Sequence, residues 1–172
     1  MPKQNNYKLI IWDWLGTLVE LSKGAPLSFF QNQFFSKNKL MSEKVSQIKQ
    51  DIAKMQVWFK PYAWNLVNNF NKSGLKQAVA SNSYPNDILS DLEYAPFKNF
   101  DLILGVSSKL APKPSPDMIN FACENLQVQK KDVIFIGDSE TDFQAANNAH
   151  VDFFKVDDSI ESYFKLSKVV QS

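Results

Sequence analysis

Carboxylate side chains follow two apolar stretches of the sequence. Asp13 comes directly after Tyr7–Trp12, whose last four residues are apolar, and Asp138 and Asp142 come shortly after Asp132–Ile136. Continuous apolar runs of this kind are typical of strands that are buried on both faces of a parallel sheet. The C-terminal ends of such strands meet at one edge of the sheet, where ligands bind. Carboxylates gathered at that edge suit a hard divalent cation such as Mg²⁺.

A hydroxyl and a lysine are predicted at the same edge. Ser81 and Asn82 end a further apolar stretch, and a later loop carries Lys109 and Lys113, of which Lys109 is interpreted as a solvated loop residue. All 19 basic residues are lysines, so the planar fork with which arginine holds a phosphate is missing. A phosphate must therefore be held by lysine, hydroxyls, backbone N–H groups or a metal. A lysine and a hydroxyl beside carboxylates could neutralise and orient a transferred phosphoryl group.

Strands and helices alternate along the whole chain. Beyond the first strand and 132–136, strands are predicted at Leu75–Ser81, Phe100–Val106 and Asp152–Val156. Helices are predicted at 61–74, 85–92, 115–126, after Asp142 as far as Ala149, and at 159–170. Alternation of this kind predicts an α/β fold, a Rossmann-like parallel sheet flanked by helices with right-handed crossovers.

A stretch of different character lies between the first strand and the helix that begins at Pro61. It contains repeated Phe-Phe pairs at helical spacing, and Ser42 is a plausible N-cap of a second helix. We interpret 21–59 as a small helical insertion, and 1–20 with 60–172 as the α/β core domain. The apolar positions of the second helix share one face; they are Val45, Ile48, Ile52 and Met55.

Four short motifs occur in order at or just after the predicted strand ends. They are Asp13-Trp14-Leu15-Gly16-Thr17, Ser81-Asn82, Lys113-Pro114-Ser115-Pro116 and Gly137-Asp138-Ser139-Glu140-Thr141-Asp142. This set resembles the motifs of the haloacid dehalogenase (HAD) superfamily: D-x-D-G-T, a hydroxyl residue, the lysine of K-P-x-P, and G-D-S-x-x-D. The resemblance is closest to the phosphoglycolate-phosphatase-like branch, which has a helical cap inserted after the first motif. It implies the HAD fold with a short helical cap.

The resemblance implies catalytic roles for three residues. Asp13 would be the nucleophile that attacks phosphorus and forms an aspartyl-phosphate. Ser81 would hydrogen-bond the phosphoryl group, and Lys113 would lie between nucleophile and phosphate and offset charge. The chain would then be a hydrolase acting on a phosphorylated small molecule.

The resemblance also implies a Mg²⁺ site and further substrate contacts. Asp13 and Asp138 would bind the metal, with Asp142 supporting the site and the backbone carbonyl of Leu15 supplying a further ligand. Substrate contacts would come from Trp14, Gly16 and Asn82. Because the cap is short, the resemblance does not name the substrate.

Leu15 stands where the first motif of the family has its second aspartate. In family phosphatases that aspartate protonates the leaving alcohol and then activates water, and leucine can do neither. Positioned acid–base groups typically contribute about 10²–10⁴-fold to a rate, so an ordinary alkyl phosphatase would be compromised. Glu20 and Glu140 are near in sequence and could in principle substitute, although both are interpreted as solvated.

Several functions therefore remain open. One is a Mg²⁺-dependent hydrolase restricted to good leaving groups, such as acyl or aryl phosphates. Another is a weak or inactive HAD protein that binds a phosphorylated ligand or partner. Cleavage of a C–P bond, as in phosphonoacetaldehyde hydrolases, is a lesser alternative that needs a cap lysine, and the insertion holds Lys37, Lys39, Lys44, Lys49 and Lys54. Dehalogenation is disfavoured because those relatives hold halide with an arginine.

Composition narrows the class of protein. The formal net charge of +1 gives no sign of a nucleic-acid or membrane partner. Cys123 is the single cysteine, so an intramolecular disulfide is impossible, and we expect it to be buried in a helix. With no apolar run long enough to cross a bilayer and no apolar leader, the expected location is the cytoplasm.

Overall fold

A parallel sheet forms the centre of the molecule. The computed structural model describes residues 6–21, 57–93, 95 and 100–171. Within them, five parallel strands pair in the order β5-β4-β1-β6-β7. The predicted α/β parallel sheet is confirmed. The strands are β1 (Leu9–Trp12), β4 (Lys76–Ala80), β5 (Leu102–Leu104), β6 (Val133–Gly137) and β7 (Asp152–Lys155), while β2 and β3 form a separate ribbon.

Helices cover the sheet at the positions predicted, with small shifts at their ends. Both α1 and α2 begin at a proline, where the missing N–H would have no partner within the helix. The helix predicted from Ser115 begins two residues later, because Pro116 takes the N-cap position. The helices are α1 (Pro61–Lys72), α2 (Pro85–Leu92), α3 (Asp117–Asn125), α4 (Glu140–Ala149) and α5 (Ile160–Gln171).

A two-stranded antiparallel ribbon lies at the base of the predicted insertion. It joins β2 (Val19–Leu21) to β3 (Val57–Phe59). The prediction of a loop as far as Glu20 was wrong at this point, and 57–59 form a strand where the insertion was predicted to be helical. Three-residue strands about 40 residues apart in sequence carry no local signal that distinguishes them from loop. The rest of the predicted insertion, and with it the predicted second helix, lies outside the described residues.

The core has two layers because the sheet is covered on both faces. Along β1, Ile10 and Trp12 face one apolar layer and Leu9 and Ile11 face the other. All four are fully buried, and each such side chain contributes on the order of 2 kcal/mol relative to exposure. The continuous apolar run of β1 thus reflects burial on both sides.

Two smaller expectations can be compared with the structure. Cys123 is buried in α3, as predicted, and burial raises the pKa of its thiol. Within the described residues, no helix is long and apolar enough to cross a membrane.

Candidate functional site

The predicted carboxylates meet at one edge of the sheet. Asp13 follows β1, and Asp138 and Asp142 follow the neighbouring strand β6. Ligand oxygens of the three carboxylates lie within 4.8 Å of one another. They line a cavity of about 450 Å³ together with Leu15 and Ser81 among others. Parallel pairing of β1 with β6 is what brings together residues that are more than a hundred positions apart in sequence.

Lys113 lies between two of these carboxylates. Its Nζ is 2.5 Å from Asp13 Oδ1 and 2.5 Å from Asp142 Oδ1, and the lysine is 6 % exposed. Burial alone would lower the pKa of Lys113, but the two carboxylates outweigh it and the net shift is upward. Burial raises the pKa of Asp13 to about 7, against the lowering effect of Lys113 and with a further increase from Asp142. Lys113 is thus one ammonium group beside three carboxyl groups at this edge of the sheet.

Both oxygens of Asp142 are already engaged by the protein. Oδ1 accepts from Lys113, while Oδ2 accepts from the Ser139 backbone N–H at 3.0 Å and from the Ser139 hydroxyl at 2.6 Å. The Ser139 hydroxyl in turn accepts from the Asp142 N–H, which completes a capping box at the start of α4. Asp142 is therefore fixed as an anchor for Lys113, which leaves Asp13 and Asp138 as the carboxylates better placed to hold a cation.

Gly16 makes room for Asp138. Its φ of +91° lies in the region that favours glycine, and a Cβ there would fall 2.4 Å from Asp138 Oδ2. The neighbouring Thr17 hydroxyl donates to Asp138 Oδ1 at 3.3 Å. Gly16, which was predicted to contact substrate, thus allows the first-motif loop (Asp13–Leu18) to pack closely against Asp138.

Ser81 and Asn82 lie at the end of β4, and both line the cavity. Ser81 is buried, and its hydroxyl accepts from the Ser83 N–H at 3.2 Å. The Asn82 amide makes two bonds to the backbone of Lys113: Oδ1 accepts from the Lys113 N–H at 2.7 Å, and Nδ2 donates to its carbonyl at 3.1 Å. Asn82 therefore positions Lys113. The sequence predicted that Asn82 contacts substrate and did not predict this contact with Lys113.

Comparison with known proteins identifies the family of the chain. The family model of haloacid dehalogenase-like hydrolases matches residues 12–156. The chain belongs to the haloacid dehalogenase-like hydrolase family. No sequence among curated proteins is similar enough to count as a relative.

Solved structures of HAD proteins have the same fold at low sequence identity. A candidate β-phosphoglucomutase from Thermotoga maritima is 17% identical with a TM-score of 0.74, covering 94% of this chain and 99% of that one. A candidate phosphoglycolate phosphatase from Lactobacillus delbrueckii subsp. bulgaricus is 22% identical with a TM-score of 0.68, and the match covers 95% of this chain and 92% of that one. CbbY from Rhodobacter sphaeroides in complex with phosphate is 16% identical with a TM-score of 0.66, and the match covers 90% of this chain and 88% of that one. At these identities the likeness concerns the fold, and the predicted HAD fold is confirmed.

Leu15, the departure from the HAD motif, faces the cavity. Its side chain is 41 % exposed and lies among the residues that line the site. Neither glutamate considered as a substitute lines the cavity: Glu20 lies 3.2 Å from Lys60 in an ion pair, and exposed Glu140 accepts from Gln144 at 3.2 Å. Leu15 therefore presents an apolar surface to the cavity.

The Trp14 side chain lies in the core, away from the residues that line the cavity, so its predicted contact with substrate, which stays a prediction, would have to involve its backbone. It is 1 % exposed, packs edge-on against Trp64, and donates from Nε1 to Asp91 at 3.0 Å. Its backbone N–H bonds to the Asp13 carboxylate. A large apolar side chain next to a strand end gains more from the core than from a polar cavity.

Sequence reasoning missed three hydrogen bonds to the first-motif loop from side chains outside the HAD motifs. Lys60 Nζ donates to the Gly16 carbonyl, and the Tyr163 hydroxyl donates to the Thr17 carbonyl at 2.8 Å. Trp64 Nε1 donates to the Leu18 carbonyl at 2.9 Å. Lys60 directly precedes the helix proline Pro61, and nothing in that sequence marks it as buried. Lysines of the insertion that were considered for C–P cleavage lie outside the described residues.

Proposed function

We propose that this HAD protein is a Mg²⁺-dependent phosphohydrolase that acts on phosphorylated small molecules with good leaving groups. The observation that carries the proposal is the placement of Lys113 between Asp13 and Asp142, beside Asp138 and facing the same cavity as Leu15. The solved structure of CbbY, which has this fold, holds phosphate. That complex supports a phosphorylated ligand here.

The donor set fits a hard cation. Asp13 and Asp138 offer carboxylate oxygens within one ion's reach, and oxygen ligands are those that Mg²⁺ prefers. Asp13 and Asp138, with the backbone carbonyl of Leu15, would hold the ion, and Asp142 would support them through Lys113. When bound, the cation supplies positive charge that neutralises phosphate oxygens.

The residues of the chain divide the reaction between them. An Asp13 oxygen attacks phosphorus, the bond from phosphorus to the leaving oxygen breaks, and the electron pair leaves with that oxygen. Lys113 offsets the charge of the carboxylates and of the phosphoryl group, and Ser81 donates a hydrogen bond to a phosphoryl oxygen. Water from the solvent then attacks phosphorus, the bond from phosphorus to the Asp13 oxygen breaks, the proton of the water passes to solvent, and Asp13 is regenerated as a carboxylate.

Leu15 restricts the substrate class. An alkoxide leaving group needs a proton, and Leu15 has none to give. A carboxylate or phenolate leaves without one, so acyl and aryl phosphates are the substrates whose first step needs no acid, while the second step relies on water that Leu15 does not activate. The same residue favours a second function, a protein that binds a phosphorylated ligand or partner without turnover.

One experiment separates the two functions. Purified wild type and Asp13→Asn are assayed with acetyl phosphate and p-nitrophenyl phosphate, with Mg²⁺ and with EDTA; Asp87→Asn, on the exposed side of α2, is the matched control. Turnover that needs Mg²⁺, vanishes in Asp13→Asn and persists in Asp87→Asn supports the hydrolase. Mg²⁺-dependent binding of inorganic phosphate without turnover supports the binding protein, and the absence of both overturns the proposal.

A further inference from the structure

Three consecutive carbonyls of the first-motif loop each accept a hydrogen bond from a side chain outside the loop. The Gly16 carbonyl accepts from Lys60 Nζ and the Thr17 carbonyl from the Tyr163 hydroxyl at 2.8 Å. The Leu18 carbonyl accepts from Trp64 Nε1 at 2.9 Å. These donors come from the β3–α1 junction, from α1 and from α5. We propose that Lys60, assisted by Tyr163, is a positioning residue that holds this loop, and through it Asp138, in the arrangement that binds a cation.

The loop is held from both sides because peptide groups are planar. In a trans peptide the carbonyl and the following N–H point in opposite directions. The N–H groups that follow the Thr17 and Leu18 carbonyls donate to the Trp14 carbonyl, at 2.9 Å and 3.0 Å. Because the Thr17 and Leu18 carbonyls accept hydrogen bonds on the outer side of the loop, the N–H groups that follow them point inward and bond to Trp14, the residue next to Asp13.

Lys60 bonds to a peptide that adjoins the site. Its acceptor, the Gly16 carbonyl, belongs to the peptide between Gly16 and Thr17. Gly16 packs directly against the Asp138 carboxylate, and the Thr17 hydroxyl donates to it at 3.3 Å. A rotation of this peptide would move both contacts at once, so the position of Asp138 depends on Lys60.

The ammonium group of Lys60 suits this task because its three donors meet three acceptors. Besides Gly16, Nζ lies 2.6 Å from Asp158 Oδ1 and 3.2 Å from Glu20 Oε1. The lysine is 6 % exposed, whereas the side chains of Asp158 and Glu20 are 83 % and 39 % exposed. The two carboxylates can therefore be solvated if Lys60 is replaced, while the Gly16 carbonyl loses its donor. Replacement should free the loop without leaving an unpaired charge in the core.

The inference rests on the proposed function for its cation site, and it has a readout of its own. Lys60→Met removes the donors, Lys60→Gln restores one without the charge, and Tyr163→Phe removes only the hydroxyl. Lys8→Met is the matched control, because Lys8 forms an exposed ion pair with Asp132 away from the cavity. The measurements on the full chain are Mg²⁺ affinity by titration calorimetry and amide hydrogen exchange at Leu18 and Val19.

We expect Lys60→Met to weaken Mg²⁺ binding by about tenfold or more, as loss of a supporting group around a metal commonly does. Exchange at the Leu18 and Val19 amides should become faster, Lys60→Gln should recover part of both effects, and Lys8→Met should change neither. Unchanged Mg²⁺ affinity in a folded Lys60→Met that only melts at a lower temperature would overturn the inference, as would unchanged exchange. If the wild type binds no Mg²⁺, the metal-dependent function fails, and exchange alone decides whether Lys60 holds the loop.

Discussion

At the scale of single residues, the proposed restriction of this HAD protein to good leaving groups depends on Leu15, which lines the cavity. The other side chains of the site are held in place by neighbouring residues. Lys113 contacts two carboxylates, and Asp142 is fixed by Ser139. Gly16 leaves space for Asp138. Among the described residues that line the cavity, Leu15 is apolar and offers no proton. Its side chain is partly exposed, so this position is accessible to substitution.

Leu15→Asp is therefore expected to increase hydrolysis of alkyl phosphates with Mg²⁺ by about 10²-fold, since positioned acid–base groups contribute roughly that much or more. The added carboxyl reaches solvent through the cavity, so it causes no burial of an unpaired charge. Phosphate release from a panel of alkyl phosphates measures the effect.

Leu15→Asn is the matched control, because it has the same shape as the aspartate and cannot exchange a proton. If neither Leu15→Asp nor Leu15→Asn releases phosphate from the alkyl phosphates, the missing acid is not what limits hydrolysis by this protein. Equal gains in both variants would assign the effect to polarity or space and would also contradict the prediction.

Individual site residues were predictable to different degrees. Asp13, Lys113 and Asp138 could be predicted to meet because strand ends converge by the rules of the fold. The direction of the Trp14 side chain could not, since it depends on a pocket formed by Trp64 and Asp91 from other elements. A motif fixes where a backbone lies, while tertiary packing fixes where a large side chain goes.

At the scale of elements, the local signals were reliable where they had a mechanism. Proline at position 61 and at position 85 marks the start of a helix in both sequence and structure. The β2–β3 ribbon escaped prediction because its pairing is non-local. Lys60 escaped for the same reason: its burial results from the ribbon, from the first-motif loop and from Asp158 near the C-terminus.

The end of α4 holds a residue in an unfavourable conformation. His150 takes the C-cap position with φ +58° and ψ +47°, the left-handed region that glycine adopts without cost. His150→Gly is expected to raise the free energy of unfolding by about 0.5–1 kcal/mol, the gain being reduced by the greater freedom of glycine in the unfolded chain. Urea unfolding of wild type and variant measures the difference.

Asn147→Gly, at an exposed position within α4, is the control for this change. There the backbone is helical, so glycine should destabilise by a few tenths of a kcal/mol. A loss of stability in both variants would mean that the left-handed conformation of His150 is not a source of strain.

At the scale of the whole molecule, polar bonds between distant elements attach the first strand and its loop to the layers around them. Trp12 Nε1 donates to the buried Gln77 side chain at 2.9 Å, and the Gln77 amide donates on to the Val67 carbonyl at 2.8 Å. Trp14 Nε1 donates to Asp91 on α2. The bonds donated by Trp12 and Trp14 join residues 65 and 77 positions apart in sequence, so the apolar pattern that predicts the sheet gives no sign of them.

Asp91, the acceptor of one of these bonds, makes stability depend on pH because it is partly buried. Burial raises the pKa of Asp91 from 3.8 to about 6; the bond from Trp14 opposes the rise, and Asp87 adds to it. Between these two pH values the folded state holds a proton that the unfolded state has lost. Stability from this group is therefore largest below about pH 4 and falls as the pH rises through 6.

Asp91→Asn keeps an oxygen acceptor for Trp14 and removes the titration. The free energy of unfolding of the variant minus that of wild type should therefore increase between pH 4 and pH 6.5 and then level off. The full shift would correspond to about 3 kcal/mol, and screening at this partly solvated group reduces the expected change to about 1 kcal/mol. Urea unfolding at several pH values measures it, with Asp87→Asn as a control that should show a smaller change. A difference that stays constant with pH, or that falls, would mean that Asp91 is not kept protonated by the fold.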